Sequence, residues 1–115
     1  MSYLHRVRLE REGFDSVENL RHALPADLAV RTGFNYRQLA QWISEAWLAA
    51  HLRDDYRTAV DAIGISSRDE LERYFAGTAK PELVDELVPA HLEENQRNAL
   101  RHKLRIIQQL LARET

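Results

Sequence analysis

Cysteine is absent from this sequence, and its absence excludes a disulfide framework and thiolate chemistry. The sequence also has no apolar run close to the roughly 20 residues that cross a bilayer as a helix. Its N-terminal segment, MSYLHRVRLERE, carries charges throughout and lacks the apolar stretch of a secretory signal. We therefore expect a cytoplasmic protein without membrane insertion, forming a single domain of residues 1–115.

Glycine and proline are few, and their placement is consistent. Each glycine follows an apolar periodic segment, where a helix needs a residue that turns left-handed at its C-terminal cap. Each proline precedes a new helical pattern, where a missing N–H is harmless. These residues are Gly13, Gly33, Gly64 and Gly77, and Pro25, Pro81 and Pro89. Because no segment alternates apolar and polar residues as a strand does, we predict an all-α protein.

The apolar spacing predicts a compact array of about eight short helices with connections of two or three residues. They are expected near residues 3–12, 16–23, 25–32, 35–51, 54–63, 67–76, 81–88 and 89–113. The most apolar helix is the one near 35–51, where Asn35 and Gln38 have the spacing of a capping box.

The last predicted helix, 89–113, has a wide apolar stripe. Its main positions are Leu100, Leu104, Ile107 and Leu111, and Ile106 and Leu110 widen the stripe. Either the core of the chain or a second copy has to cover these side chains, since leaving leucines in water forgoes about 1.5–3 kcal/mol each. We favour closure within the chain, with a residual patch that supports a weak homodimer.

A shift of 51 residues aligns Gly13 with Gly64 and Ser16 with Ser67. Each copy is a helix, a glycine cap, an apolar residue, a serine N-cap and a second short helix. The second copy adds Glu70, which completes a capping box with Ser67. This joint predicts two similar units near residues 3–51 and 54–88, followed by the C-terminal helix. Chance similarity between two ordinary helix joints is the alternative.

Several glycine, serine, threonine and apolar residues around the joint are spaced at fixed distances from one another. They are Gly13, Phe14, Ser16, Leu20, Leu28, Ala29, Thr32, Gly33, Phe34, Leu39, Trp42, Gly64 and Ile65. This pattern resembles uncharacterised bacterial families of tandem helix-hairpin-helix-like (SAM-like) helical domains, and the resemblance implies two such units. Related units bind DNA phosphates through the backbone of a glycine-rich hairpin. The corresponding link here, residues 51–55, has no glycine, and Asp54 and Asp55 would cap the next helix and repel phosphate.

No residue pattern provides a catalytic constellation or a metal site. The histidines are scattered without the spacing of metal ligands. No glycine-rich phosphate loop, nucleophile elbow or zinc signature occurs. We expect no enzymatic activity, no cofactor and no metal ion, because no cluster supplies both a nucleophile and a base.

Charge is distributed unevenly along the chain. Acidic residues dominate residues 66–94, whereas residues 97–113 contain basic residues and no acidic one. Three interpretations are open. The acidic and basic regions pair with each other within the chain, they form separate surfaces for partners, or they are ordinary solvated faces with local ion pairs. The net charge of −2 gives the chain no global attraction to nucleic acid.

These observations favour a non-catalytic helical interaction or scaffolding module, an accessory domain of a larger bacterial protein, that binds a protein partner or itself. Trp42 and the basic face of the last helix are the candidate surface, with burial of Trp42 in the core as the favoured alternative for that residue. The competing hypothesis is weak, sequence-nonspecific nucleic-acid binding. It uses the stripe of Arg97, Arg101 and Arg105, which are spaced four residues apart.

Overall fold

The computed structural model describes residues 29–30 and 32–114. Helical residues make up 79% of this part and it contains no strand, so the all-α prediction is confirmed. Its α-helices of seven residues or more are α1 (Tyr36–Leu52), α2 (Arg68–Phe75), α3 (Pro81–Leu87) and α4 (Glu94–Glu114). None of the helices in this part of the chain is both long and apolar enough to span a bilayer.

The prediction of about eight short helices is wrong: residues 29–30 and 32–114 contain four helices of seven residues or more. Residues 53–63 form no separate regular helix. They continue from α1 as a 3-10 turn (Arg53–Asp55), one α-helical turn (Tyr56–Thr58) and a π-helical turn (Ala59–Ile63). The last helix begins at Glu94 and not at Pro89. The predicted helices near 3–12 and 16–23 lie outside the described residues.

The chain divides into two units, residues 1–50 and 51–115. In the first unit, the side chain of Asn35 caps α1, because its Oδ1 accepts hydrogen bonds from the N–H groups of Arg37 (2.8 Å) and Gln38 (3.3 Å). Gly33 has the left-handed φ predicted for it, 73°, and its N–H donates to the carbonyl of Ala29 at 2.9 Å.

Trp42 belongs to the core of the first unit, where only 9% of its surface is exposed. Its ring meets the ring of Phe34 edge to face, with centroids 5.9 Å apart. The cluster contains Leu39, Trp42 and Ala46, with Ala29, Phe34 and Ile43 packed against it. The prediction that Trp42 is an exposed anchor is therefore wrong, and the favoured alternative, burial of Trp42 in the core, is confirmed.

In the second unit, the predicted joint is present between residues 64 and 70. Gly64 ends the π-helical turn with a φ of 81°, and Ser67 Oγ accepts from the N–H of Glu70 at 3.4 Å. The return hydrogen bond differs from that of a capping box, because the Glu70 carboxylate accepts from the N–H of Ser66. The first joint, at Gly13 and Ser16, lies outside the described residues.

Helix α4 organises the second unit, since it contacts α3, α2 and the 3-10 turn. The four main positions of its predicted apolar stripe are all buried: Leu100, Leu104, Ile107 and Leu111. Pro81 occupies the first turn of α3 as predicted, and Val84 is buried on that helix. The stripe of α4 is thus part of the core of this unit.

Candidate interaction surface

A buried glutamine on α4 holds the loop between α2 and α3. Gln108 is fully buried, and its Nε2 donates hydrogen bonds to the carbonyl oxygens of Thr78 (3.2 Å) and Lys80 (2.8 Å). Its Oε1 accepts from Nη1 of Arg105 at 2.6 Å. Every polar atom of the side chain therefore has a partner, as a buried amide requires. We call this arrangement the Gln108 clamp.

Arg105, predicted as part of a basic surface, takes part in the clamp. Its Nη1 donates to the carbonyl of Ala79 at 2.7 Å as well as to Gln108. Arg101 is also engaged within the unit, because its Nε lies 3.1 Å from Oδ1 of Asp85 on α3. At this contact a basic residue of the last helix pairs with a residue of the acidic region of the same chain. Both side chains are about half exposed, so the pair contributes at most about 1 kcal/mol.

Arg97 differs from the other two arginines. It is half-buried, and its Nε is buried without a hydrogen-bond partner in the part of the chain that the structure describes. The predicted stripe of three arginines thus divides into two whose guanidinium groups bind groups of the same unit and one whose buried Nε has no partner among the described residues. A nucleic acid would compete with the Asp85 carboxylate for the charge of Arg101, whereas Arg105 contacts only neutral acceptors and is held in place by them.

Lys103 binds the end of α1, a contact that the sequence does not predict. Its Nζ donates to the carbonyl of Leu52 at 2.9 Å and lies 2.6 Å from Oδ2 of Asp55. A cation at the C-terminal end of a helix is favourable because the last carbonyls lack helical partners. Asp55 does not cap the following turn, contrary to expectation, since no side-chain cap bond is present there. Its carboxylate pairs with Lys103 instead.

A double-mutant cycle of Lys103→Met and Asp55→Asn measures the coupling between these two side chains. We expect a coupling free energy of about 1–2 kcal/mol, because both side chains are largely buried. The matched control is the exposed pair of Arg57 and Asp61, for which the equivalent cycle should give less than about 0.5 kcal/mol. Urea denaturation measures both cycles. Equal coupling in the two cycles would contradict a special role for Lys103.

A tyrosine of α2 forms hydrogen bonds to α3. The hydroxyl of Tyr74 donates to the carbonyl of Leu83 at 3.0 Å and lies 3.3 Å from the Glu86 carboxylate. Partial burial, together with the negative charge and hydrogen bond of Glu86, raises the pKa of the Tyr74 phenol above its usual value. The raised pKa favours the neutral phenol, which is the form that donates the hydrogen bond to the carbonyl of Leu83.

The opposite side of α4 carries a second stripe, which we call the outer stripe. Its members follow one another at intervals of four, three, four, three and four residues, the spacing of one helical face. They are Asn95, Ala99, His102, Ile106, Gln109 and Arg113. Ile106 was predicted to widen the apolar stripe of the last helix; it is 48% exposed and so lies outside the buried part of that stripe. Leu110, next to the outer stripe, is half-buried.

No group of three or more histidine, aspartate or glutamate side chains that could hold a metal ion occurs within residues 29–30 and 32–114. No protein family, curated protein or solved structure matches the chain. The resemblance to tandem helix-hairpin-helix-like domains therefore stays a prediction. The surface has to be interpreted from its own geometry.

Proposed function

We propose that this protein is a non-catalytic helical interaction module, and that it binds a protein partner through the outer stripe of α4. The observation that carries the proposal is the exposure of Ile106 on a helix whose other face is fully occupied by its own core. Full burial of an exposed aliphatic side chain contributes about 1.5–3 kcal/mol, and because about half of Ile106 is already covered, a partner gains about 1 kcal/mol by covering the rest.

The neighbours of Ile106 suit a small protein interface. Ala99 and Leu110, both half-buried, extend the apolar centre on either side of Ile106. His102 and Gln109 are exposed beside this centre, and both offer hydrogen bonds. An apolar centre with a polar border is the usual anatomy of a protein–protein contact. The stripe itself contains no acidic residue, so an approaching carboxylate meets no repulsion from it.

The exposed groups favour a protein partner over nucleic acid. Arg101 and Arg105 are engaged inside the second unit, and the outer stripe offers only Arg113 as a fixed positive charge. Each phosphate neutralised contributes about −0.9 to the slope of log K against log salt on duplex DNA. A slope of about −2.7, the value for three arginines, would support the nucleic-acid hypothesis instead.

Photo-crosslinking in cells that produce the protein natively tests the proposal. A photoreactive amino acid in place of Ile106 should give a discrete adduct on irradiation, because this position lies at the centre of the surface. The same amino acid in place of Glu82, which is exposed on α3, is the matched control and should give none. No adduct at either position, or equal adducts at both, would contradict the proposed surface.

A further inference from the structure

We infer that the outer stripe of α4 binds the outer stripe of a second copy of this chain, in an antiparallel pair with two-fold symmetry. The inference rests on the proposed function, because it names the partner of that same surface. Three observations support it. They are the spacing of the outer stripe, the opposite charges at the two ends of α4, and the absence of ion pairs for most of those charges within the described part of the chain.

The spacing of the outer stripe is the same from either end. An antiparallel copy whose two-fold axis passes midway between positions 102 and 106 therefore places every member of the stripe opposite another member. The opposed pairs are Asn95 with Arg113, Ala99 with Gln109, and His102 with Ile106 of the second copy. Ile106 then packs on the imidazole of His102, and the small Ala99 leaves room for Gln109.

The charges at the ends of α4 select the antiparallel orientation. Glu93 and Glu94 are exposed at its beginning, and Arg113 is exposed at its end; none of the three has an ion pair within the described part of the chain. Glu114 is different, because its carboxylate pairs with Arg68 of α2. In an antiparallel pair Arg113 meets the acidic end of the second copy, whereas a parallel pair opposes like charges.

The small apolar centre predicts weak association. Of the residues on or beside the stripe only Ala99, Ile106 and Leu110 are apolar, and specific stable interfaces usually bury about 1,200–2,000 Å² in total. A pair of single helices with so few apolar side chains falls below that size. We therefore expect monomers at micromolar concentration and dimers as the concentration approaches millimolar.

Sedimentation equilibrium of the full chain from micromolar to millimolar concentration tests the association. Ile106→Asp should abolish the dimer, since it places two carboxylates in the apolar centre. Val30→Asp is the matched control, because Val30 is exposed (86%) outside α4, and it should leave the dimer unchanged. A chain that stays monomeric at millimolar concentration, or dimers that survive Ile106→Asp, would overturn the inference.

Charge reversal tests the orientation. Glu94→Lys and Arg113→Glu should each weaken the dimer by about tenfold, because each change converts two symmetric attractions into repulsions. Combining the two substitutions should restore the affinity of the original chain to within about twofold. If the double variant is as weak as the single variants, the two ends do not meet and the antiparallel pair is wrong.

Disulfide crosslinking tests the register. Because the sequence contains no cysteine, only the introduced cysteines can form a disulfide. A mixture of His102→Cys and Ile106→Cys chains should form the mixed disulfide under a mild oxidant faster than either variant alone. Positions 102 and 106 are opposed, whereas two copies of position 106 are offset by about 6 Å along the helix. Preferential crosslinking of Ile106→Cys to itself would overturn this register.

The mass of the photo-adduct at position 106 separates the two proposals. With the purified chain near millimolar concentration, where the dimer forms, an adduct of twice the chain mass supports both. An adduct of another mass, from a chain that is monomeric in sedimentation, overturns the antiparallel pair and leaves the interaction surface intact. Absence of any adduct at position 106, with a dimer that resists Ile106→Asp, overturns both.

Discussion

Leu104→Asp is expected to unfold residues 51–114, whereas Ile106→Asp is expected to leave their stability nearly unchanged. Leu104 is 1% exposed and Ile106 is 48% exposed, although the two positions are two residues apart on the same helix. Burying an unpaired carboxylate costs several kcal/mol in addition to the lost apolar burial, which is comparable with the 5–15 kcal/mol that stabilises a typical domain.

Circular dichroism during thermal unfolding measures the difference between these two variants at micromolar concentration, where no dimer contributes. The exposed variant should unfold cooperatively, with a free energy of unfolding within about 0.5 kcal/mol of the original chain. The buried variant should lose the cooperative transition altogether. Equal stability of the two variants would mean that the two faces of α4 are assigned the wrong way round.

Local chemistry made several features of this fold predictable. The cap by Asn35, the cap by Ser67 and the left-handed Gly64 depend on groups no more than about five positions away. The buried stripe of α4 follows from side-chain spacing alone. The sequence therefore contained all of the information that these features require.

The irregular segment after α1 could not be predicted in the same way. Arg53 adopts a left-handed φ of 51°, which favours glycine and which no neighbouring residue indicates. The contacts next to it come from Lys103, which is 51 residues from Leu52 and 48 from Asp55. A pattern search within a short window does not connect such positions, so it predicts an ordinary helix start at the two aspartates.

The start of the last helix was mispredicted for a different reason. Pro89 suits the first turn of a helix, but it also holds the preceding residue, Val88, in an extended conformation. One open turn follows, with the N–H of Leu92 at 3.5 Å from the carbonyl of Pro89, before regular α4 begins. The buried stripe starts only at Leu100, so core packing did not require the helix to begin earlier.

The candidate surface was only partly visible in the sequence. The four-residue spacing of the arginines is a local property, but the groups they bind, Asp85 and the carbonyl of Ala79, lie 16 and 26 residues away. Ile106 and Ile107 are adjacent aliphatic residues of one predicted apolar stripe, and the sequence alone left open whether the core or a second copy covers each of them. The structure separates them, because neighbouring helix positions differ by about 100° in direction.

Gln108→Leu is expected to lower the free energy of unfolding of the second unit by about 2–3 kcal/mol, although leucine has nearly the same volume and is more apolar. The substitution removes all three hydrogen bonds of the Gln108 clamp. The carbonyl of Lys80 keeps a bond from the N–H of Leu83 at 3.2 Å, but the carbonyl of Thr78 loses the donor that Gln108 provided. Arg105 also loses its acceptor on α4.

The matched control is Gln96→Leu, the same chemical change at an exposed position of α4, which should alter the stability by less than about 0.5 kcal/mol. Urea denaturation measures both variants, and hydrogen exchange of the Leu83 amide, whose acceptor Lys80 sits in the clamped loop, should accelerate only in Gln108→Leu. If Gln108→Leu stabilises the chain, apolar burial outweighs the clamp, and the loop is held by Arg105 and the start of α3 alone.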